Sequence, residues 1–165
     1  MKIVYCAYGR AGIECLNQLL LHFNINKSNV LIFTHDANEN EDFINYLIDN
    51  KFSFSFDSVN NFLTEIKQFG PHYLLSVYYR NIVDAKVIDV VNGRAMNLHP
   101  SLLPAYRGAK SSVWAILNNE SETGISFHYM NSLVDDGKII LQKRISIGSE
   151  DTAYSIYHKL ISLFV

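Results

Sequence analysis

Short apolar segments alternate with longer segments of helical spacing along the first half of the chain, and this alternation constrains the fold most. The apolar segments predict strands at 2–7, 29–34, 52–56 and 72–78. The intervening segments predict helices at 11–23, 40–50 and 59–69. Such a strand–helix alternation forms a parallel sheet with helices on both faces.

The second half of the chain continues the pattern and then changes it. It predicts a helix at 84–91, a strand at 94–98, a helix at 111–118, strands at 123–130 and 139–147, and a helix from 151 onward. The last two strands are joined by too few residues for a crossover, which needs about a dozen. We therefore expect an α/β fold: a Rossmann-like open twisted, mostly parallel sheet with helices on both faces and a C-terminal antiparallel strand pair.

Composition supports one folded domain over residues 1–165. The chain has 165 residues, of which 48% are hydrophobic, so it can bury a substantial core. The 14 basic and 16 acidic residues give a net charge of −2, and no run of Lys or Arg occurs. Because phosphate backbones are bound by clustered cations, this balance argues against a nucleic-acid partner.

Polar residues accumulate at the carboxyl end of the strand predicted at 94–98. Asn97 and His99 lie two residues apart, so in an extended segment both side chains project to the same side. Pro100 and Pro104 then stiffen the exit from the strand. Ligands of open parallel sheets bind at this edge, and the segment is therefore the predicted reactive site.

Two stretches of the chain resemble a known family. The first resembles the signature of the folate-dependent formyltransferases: Asn97-Leu98-His99-Pro100-Ser101-Leu102-Leu103-Pro104-Ala105-Tyr106-Arg107-Gly108. The second is similar to the family's threonine–glycine strand and aspartate loop: Thr123-Gly124-Ile125-Ser126-Phe127-His128-Tyr129-Met130, then Val134-Asp135-Asp136-Gly137-Lys138-Ile139-Ile140. The resemblance implies an enzyme, a formyltransferase that uses 10-formyltetrahydrofolate as co-substrate and no metal.

By this resemblance the catalytic residues are Asn97, His99 and Asp135. The Asn97 amide would donate a hydrogen bond to the oxyanion that forms during acyl transfer. His99 would donate to the same oxygen or shuttle a proton. Asp135 would hold the His99 ring, keep its charged form and order a water. Asp136 is a departure from the family pattern that could raise the pKa of its neighbour or point to water.

Cofactor binding is assigned to the segment after the strand at 72–78, where the family holds the pterin largely by main chain. The predicted cofactor-binding residues are Tyr79, Arg80, Asn81, Ile82 and His128. His128 has an equal alternative as a half-buried ring that alternates with Ser126 and Met130. The predicted substrate-binding residues are Tyr8, Arg10, Ser101, Arg107 and Lys110. Arg107 could instead lock its own loop, and Trp114 is interpreted as a core anchor.

The acceptor implied by resemblance is a nucleotide-linked amino sugar, such as a dTDP-4-amino-4,6-dideoxy sugar used for O-antigen or other surface polysaccharides. This rests on the resemblance of three segments to nucleotide-sugar formyltransferases: Phe33-Thr34-His35, Tyr78-Tyr79-Arg80 and Asn97-Leu98-His99. The alternatives are a glycinamide ribonucleotide formyltransferase and a truncated, non-catalytic relative that binds folate or nucleotide sugar. A dinucleotide oxidoreductase is disfavoured, because the turn at 7–12 matches Gly-x-Gly-x-x-Gly poorly.

Other features bear on location and assembly. The first residues enter a strand directly, without a cationic region or a long apolar segment, so we expect a cytoplasmic protein without membrane contact. Cys6 and Cys15 are expected to be reduced thiols. The resemblance implies that relatives usually carry a C-terminal extension, and we expect this chain to lack it. Unless the chain is a fragment, we expect the apolar end of the last helix to form a homodimer contact through Leu160, Leu163, Phe164 and Val165.

Overall fold

A computed structural model describes residues 1–164, in which seven strands form one sheet. The strands are β1 (Ile3–Ala7), β2 (Val30–Phe33), β3 (Phe54–Ser55), β4 (Tyr73–Val77), β5 (Ala95–His99), β6 (Glu122–Tyr129) and β7 (Ile139–Ser146). Their order across the sheet is β3-β2-β1-β4-β5-β6-β7. The first five are parallel, whereas β6 is antiparallel to both β5 and β7. The predicted fold class is confirmed.

Within the described residues there are six helices, of which five connect strands and the sixth follows β7. They are α1 (Gly9–Phe23), α2 (Glu41–Asp49), α3 (Leu63–Phe69), α4 (Ala85–Ile88), α5 (Ser111–Leu117) and α6 (Ala153–Ile161). The predicted helix at 59–69 starts as a 3-10 turn over Val59–Phe62, where the Ser58 hydroxyl accepts the Asn60 N–H. Within the described range, no helix has the length and apolar character that a membrane span requires.

The core has two layers because the residues of β1 point alternately to the two faces of the sheet. Ile3 and Tyr5 join a cluster with Leu16, Phe43 and Ile156 on one face. Val4 and Cys6 join a cluster on the other face. Each fully buried apolar side chain of this kind contributes about 1.5–3 kcal/mol relative to an exposed one. Helices consequently cover both faces.

Two sequence predictions about packing are wrong. Trp114 is not a core anchor: it is 52% exposed, because α5 turns Ser111 and Ala115 inward instead. Leu160 is not available to a partner, since it is fully buried in the core of its own chain. Leu163 and Phe164 pack partly against the same core, and Val165 lies outside the described residues.

The sheet topology places the predicted site. The chain runs from β1 outward through β2 to β3 and then crosses to β4 on the other side of β1, so the strand order reverses between β1 and β4. Loops that leave the carboxyl ends of these strands separate and form a crevice, which is where ligands bind in open α/β sheets. Asn97 and His99 lie at the carboxyl end of β5, beside this crevice.

Candidate active site

The carboxylate of Asp135 links Asn97 and His99. Asp135 lies in the loop between β6 and β7, and Asn97 Nδ2 donates to its Oδ1 at 3.1 Å. His99 Nδ1 lies 3.3 Å from Asp135 Oδ2. The same Oδ2 accepts the main-chain N–H of Gly108 at 2.8 Å. The three side chains singled out by the sequence therefore meet at one place, and the carboxylate also ties down the loop that follows β5.

A tight return of the chain brings Asp135 to this position. Asp135 has φ +50°, in the left-handed region that Asp and Asn adopt more readily than most residues. Two residues later, a Cβ added to Gly137 would lie 1.7 Å from the Tyr129 carbonyl oxygen, so only glycine fits. The loop thus passes directly against the end of β6, and its carboxylate faces β5.

His128 belongs to the same hydrogen-bond network. Its side chain is almost fully buried, and Nδ1 lies 2.8 Å from the Tyr129 carbonyl, to which it must donate. Its Nε2 lies 3.2 Å from Asn97 Nδ2 and 3.5 Å from Asp135 Oδ1. His128 is therefore not the half-buried ring of the structural alternative. Its ring nitrogens bond to protein groups, which makes it a support for Asn97 rather than a direct cofactor ligand.

Burial controls the protonation of His99. It lowers the pKa of His99, and the opposing effect of the Asp135 carboxylate is too small to reverse the shift. Asp135 thus acts in the predicted direction, since its carboxylate raises the pKa of His99, but burial outweighs it and the net pKa lies below the usual value. His99 Nε2 donates to the main-chain carbonyl of Tyr106 at 2.8 Å, which fixes the ring from its other side.

Asp135 remains ionised at neutral pH. Burial acts to raise its pKa, but the hydrogen bond with His128, the charge of His99 and the Gly108 N–H together outweigh burial and leave the pKa below its usual value. Asp136, the adjacent carboxylate, points away and pairs with Arg107 at 2.5 Å. Neither predicted role for Asp136 included this ion pair, in which its side chain is 32% exposed and through which Arg107 locks its loop.

Three other predicted substrate-binding residues differ in accessibility. The Ser101 side chain is fully buried and donates to the Ala105 carbonyl at 2.6 Å, so Ser101 shapes the loop and does not face a ligand. Lys110 is exposed at the start of α5, with φ +60°. Arg10 is exposed in the first turn of α1, where it lies 3.5 Å from Glu14.

A second cluster joins the predicted cofactor segment to the predicted substrate turn. The Arg80 guanidinium lies 3.9 Å from the centre of the Tyr8 ring, and Glu39 lies near both the Tyr8 hydroxyl (3.2 Å) and Arg80 (3.8 Å). His35 stacks on Tyr79 at 4.6 Å and accepts the main-chain N–H of Arg80 at 3.1 Å. The sequence named His35 only in the segment that resembles nucleotide-sugar enzymes and gave it no role in the site, and it gave Glu39 none either.

The rest of the cofactor segment is open main chain. Arg80, Asn81 and Ile82 are exposed and lie between β4 and α4 without regular secondary structure. The Asn60 side chain fixes the conformation of this segment. Its amide donates to the Ile82 carbonyl and its oxygen accepts the main-chain N–H of Asp84, both at 2.9 Å. Exposed main-chain groups of this kind can pair with the polar edge of a flat heterocycle.

The site as a whole is suited to acyl transfer: an amide donor, a buried imidazole and an ionised carboxylate surround one position at the rim of the sheet. No group of His, Cys, Asp and Glu in residues 1–164 is arranged to hold a metal ion. Residues 25–163 match the family model described as formyl transferase. The chain therefore belongs to the formyl transferase family.

Relatives in sequence and structure agree with this assignment. The chain is 34% identical to a GDP-perosamine N-formyltransferase of Brucella melitensis over 166 residues, and this match covers 98% of the chain and 63% of the relative. Its fold is similar to that of phosphoribosylglycinamide formyltransferase from Bacillus halodurans (TM-score 0.81, 22% identity, 99% and 89% coverage of the two chains). It is also similar to an N-formyltransferase from Helicobacter canadensis, solved with folinic acid and dTDP-3-aminofucose (TM-score 0.83, 23% identity, 99% and 61% coverage). The chain thus spans less than two thirds of the curated relative.

Proposed function

We propose that this chain transfers a formyl group from 10-formyltetrahydrofolate to the amine of a nucleotide-linked amino sugar. The observation that carries the proposal is the meeting of Asn97, His99 and Asp135 at the carboxyl edge of the sheet. Formyl transfer needs a donor for the negative charge that develops on the formyl oxygen and an acceptor for the proton of the amine. These three side chains supply both.

Asn97 is the proposed donor to the formyl oxygen. Its amide nitrogen is bonded to both His128 and Asp135, so it is already oriented, and one of the two bonds must be given up or shared when an oxyanion forms. Removing a donor of this kind typically costs about 3–4 kcal/mol of transition-state stabilisation.

His99 and Asp135 are the proposed proton-handling pair. Because burial lowers its pKa, the His99 ring is available in the neutral form that can take up a proton. The ionised Asp135 would stabilise the imidazolium as the proton arrives, since the two groups are 3.3 Å apart in a shielded position. The folate supplies the activated formyl group in this scheme, and the chain supplies orientation and charge.

The acceptor assignment rests on the GDP-perosamine N-formyltransferase relative, whose name describes formyl transfer to a nucleotide-linked amino sugar. Three exposed cations near the crevice, Arg10, Arg107 and Lys110, are the proposed partners of the diphosphate. Glycinamide ribonucleotide is the second candidate acceptor, because it also presents a primary amine near a phosphate.

The test is direct detection of the N-formyl product by mass spectrometry. The purified protein is incubated with 10-formyltetrahydrofolate and one acceptor at a time. The acceptors are GDP-perosamine, a dTDP-4-amino-4,6-dideoxy sugar and glycinamide ribonucleotide. We expect product with an amino sugar and a rate at least about 100-fold lower for Asn97→Ala. The exposed Asn61→Ala is the matched control and should keep the wild-type rate. Absence of product with every acceptor would contradict the proposal.

A further inference from the structure

The carbonyl that fixes His99 is held in an unfavourable backbone conformation. The main-chain carbonyl of Tyr106 accepts the His99 Nε2–H at 2.8 Å. The φ of Tyr106 is +57°, which lies in the left-handed region. A bulky residue in this region is uncommon because its Cβ crowds the following carbonyl. Such a conformation persists only where the surroundings hold it in place.

Contacts of the Tyr106 side chain supply that support. Its hydroxyl donates to Glu120 Oε1 at 2.5 Å and accepts from Asn118 Nδ2 at 3.1 Å. Both partners lie in the turn between α5 and β6, which is closed by main-chain bonds such as Glu120 N–H to the Ala115 carbonyl at 3.0 Å. Two hydrogen bonds thus tie the Tyr106 hydroxyl to this turn.

Two acceptors compete for the protons of the His99 ring. The Tyr106 carbonyl faces Nε2, and the Asp135 carboxylate faces Nδ1 at 3.3 Å. His128 is the other titratable group near the ring, and its Nε2 is directed to Asn97. A neutral imidazole has one N–H, and a carboxylate is the stronger acceptor. A neutral ring keeps its proton on Nε2 only while the Tyr106 carbonyl is held in line with it.

We propose that Tyr106 is a positioning residue for His99, and that its anchoring to Glu120 and Asn118 selects the Nε2–H form of the ring. Tyr106 touches no reacting atom in this role and acts only through the orientation of His99. The kinetic part of the proposal rests on the proposed formyl transfer, whereas the protonation part concerns the chain by itself.

The first measurement is the rate of formyl transfer. Tyr106→Phe removes the hydroxyl, and Glu120→Ala removes its acceptor; we expect each to lower kcat roughly 3- to 30-fold with KM within about twofold. Glu120→Gln keeps an acceptor oxygen and should restore most of kcat. The double variant should be no slower than the slower single variant, because both changes break one connection.

The second measurement needs no substrate. The ¹⁵N spectrum of histidine side chains distinguishes Nε2–H from Nδ1–H rings, and the His99 signals are identified by their loss in His99→Gln. We expect the Nε2–H form in the wild type and in Glu120→Gln, and a shift towards Nδ1–H in Tyr106→Phe and Glu120→Ala. The control is Glu122→Ala, which removes an exposed glutamate that pairs with Arg144 and should change neither readout.

The outcomes separate this proposal from the proposed function. If the wild type transfers no formyl group but the His99 signals shift as expected, positioning is supported and the formyl-transfer proposal fails. Unchanged His99 signals in both Tyr106→Phe and Glu120→Ala, with melting temperatures showing folded variants, would overturn the positioning role. A fall in kcat that Glu120→Gln does not rescue would also overturn it.

Discussion

Replacing Asp135 by asparagine changes the charge of the site with little change in shape. Asparagine tolerates the left-handed φ of +50° at this position, so the backbone need not move. Both carboxylate oxygens are in use: Oδ1 accepts from Asn97 at 3.1 Å and Oδ2 from the Gly108 N–H at 2.8 Å. An amide offers only one acceptor oxygen, so one of these two N–H groups must face another N–H.

The size of the effect follows from that mismatch. The Asp135 side chain is 11% exposed, so the displaced donor has poor access to water. Leaving a buried donor without an acceptor costs about 1–3 kcal/mol in the free energy of unfolding. For a chain of this size each kcal/mol lowers the melting temperature by about 2–4 °C, which gives a decrease of roughly 2–12 °C. Loss of the charge beside His99 should also reduce kcat by roughly 10²–10⁴-fold.

The adjacent residue is a matched control. Asp136→Asn makes the same chemical change one position along, where the carboxylate forms a half-exposed ion pair with Arg107. Exposed pairs contribute about 0–1 kcal/mol, so its melting temperature and kcat should stay close to those of the wild type. Differential scanning calorimetry and formyl-product assays on both variants make the comparison. Indistinguishable behaviour of the two variants would refute the assignment of Asp135.

Three further results are expected. Gly137→Ala should destabilise the chain strongly and abolish formyl transfer, because its Cβ would overlap the Tyr129 carbonyl; thermal melting and product assay test this, and a neutral outcome would show that the loop can relocate. Urea unfolding of the wild type should show stability falling as pH decreases below about 6.5, since burial lowers the pKa of His99 and the unfolded chain takes up that proton first. This dependence should weaken in His99→Gln, and an identical slope would contradict it. Arg107→Ala should cost at most about 1 kcal/mol of stability while raising KM for the nucleotide sugar severalfold, and an unchanged KM would exclude its proposed contact with phosphate.

Local patterns account for what could be predicted from sequence. The position of each strand and the joint projection of Asn97 and His99 depend on periods of two residues within a single segment. The errors concern contacts between segments. Whether Trp114 is buried depends on which face of α5 the sheet covers, and the environment of Leu160 depends on how α6 packs. The pKa of His99 likewise depends on burial, which no neighbouring residue in the sequence specifies.

The chain of amino acids by itself determined an open α/β sheet, its switch in strand direction and the family signature at the end of β5, because propensity and periodicity act over a few consecutive residues. The family resemblance indicated that Asp135, 38 residues beyond Asn97, joins that signature. Only the tertiary structure decided which atoms it bonds, that Asp136 pairs with Arg107, and that the Tyr106 carbonyl orients His99. These contacts follow from how the loops after β5 and β6 fold back over one sheet edge, and such closure depends on packing across the whole domain.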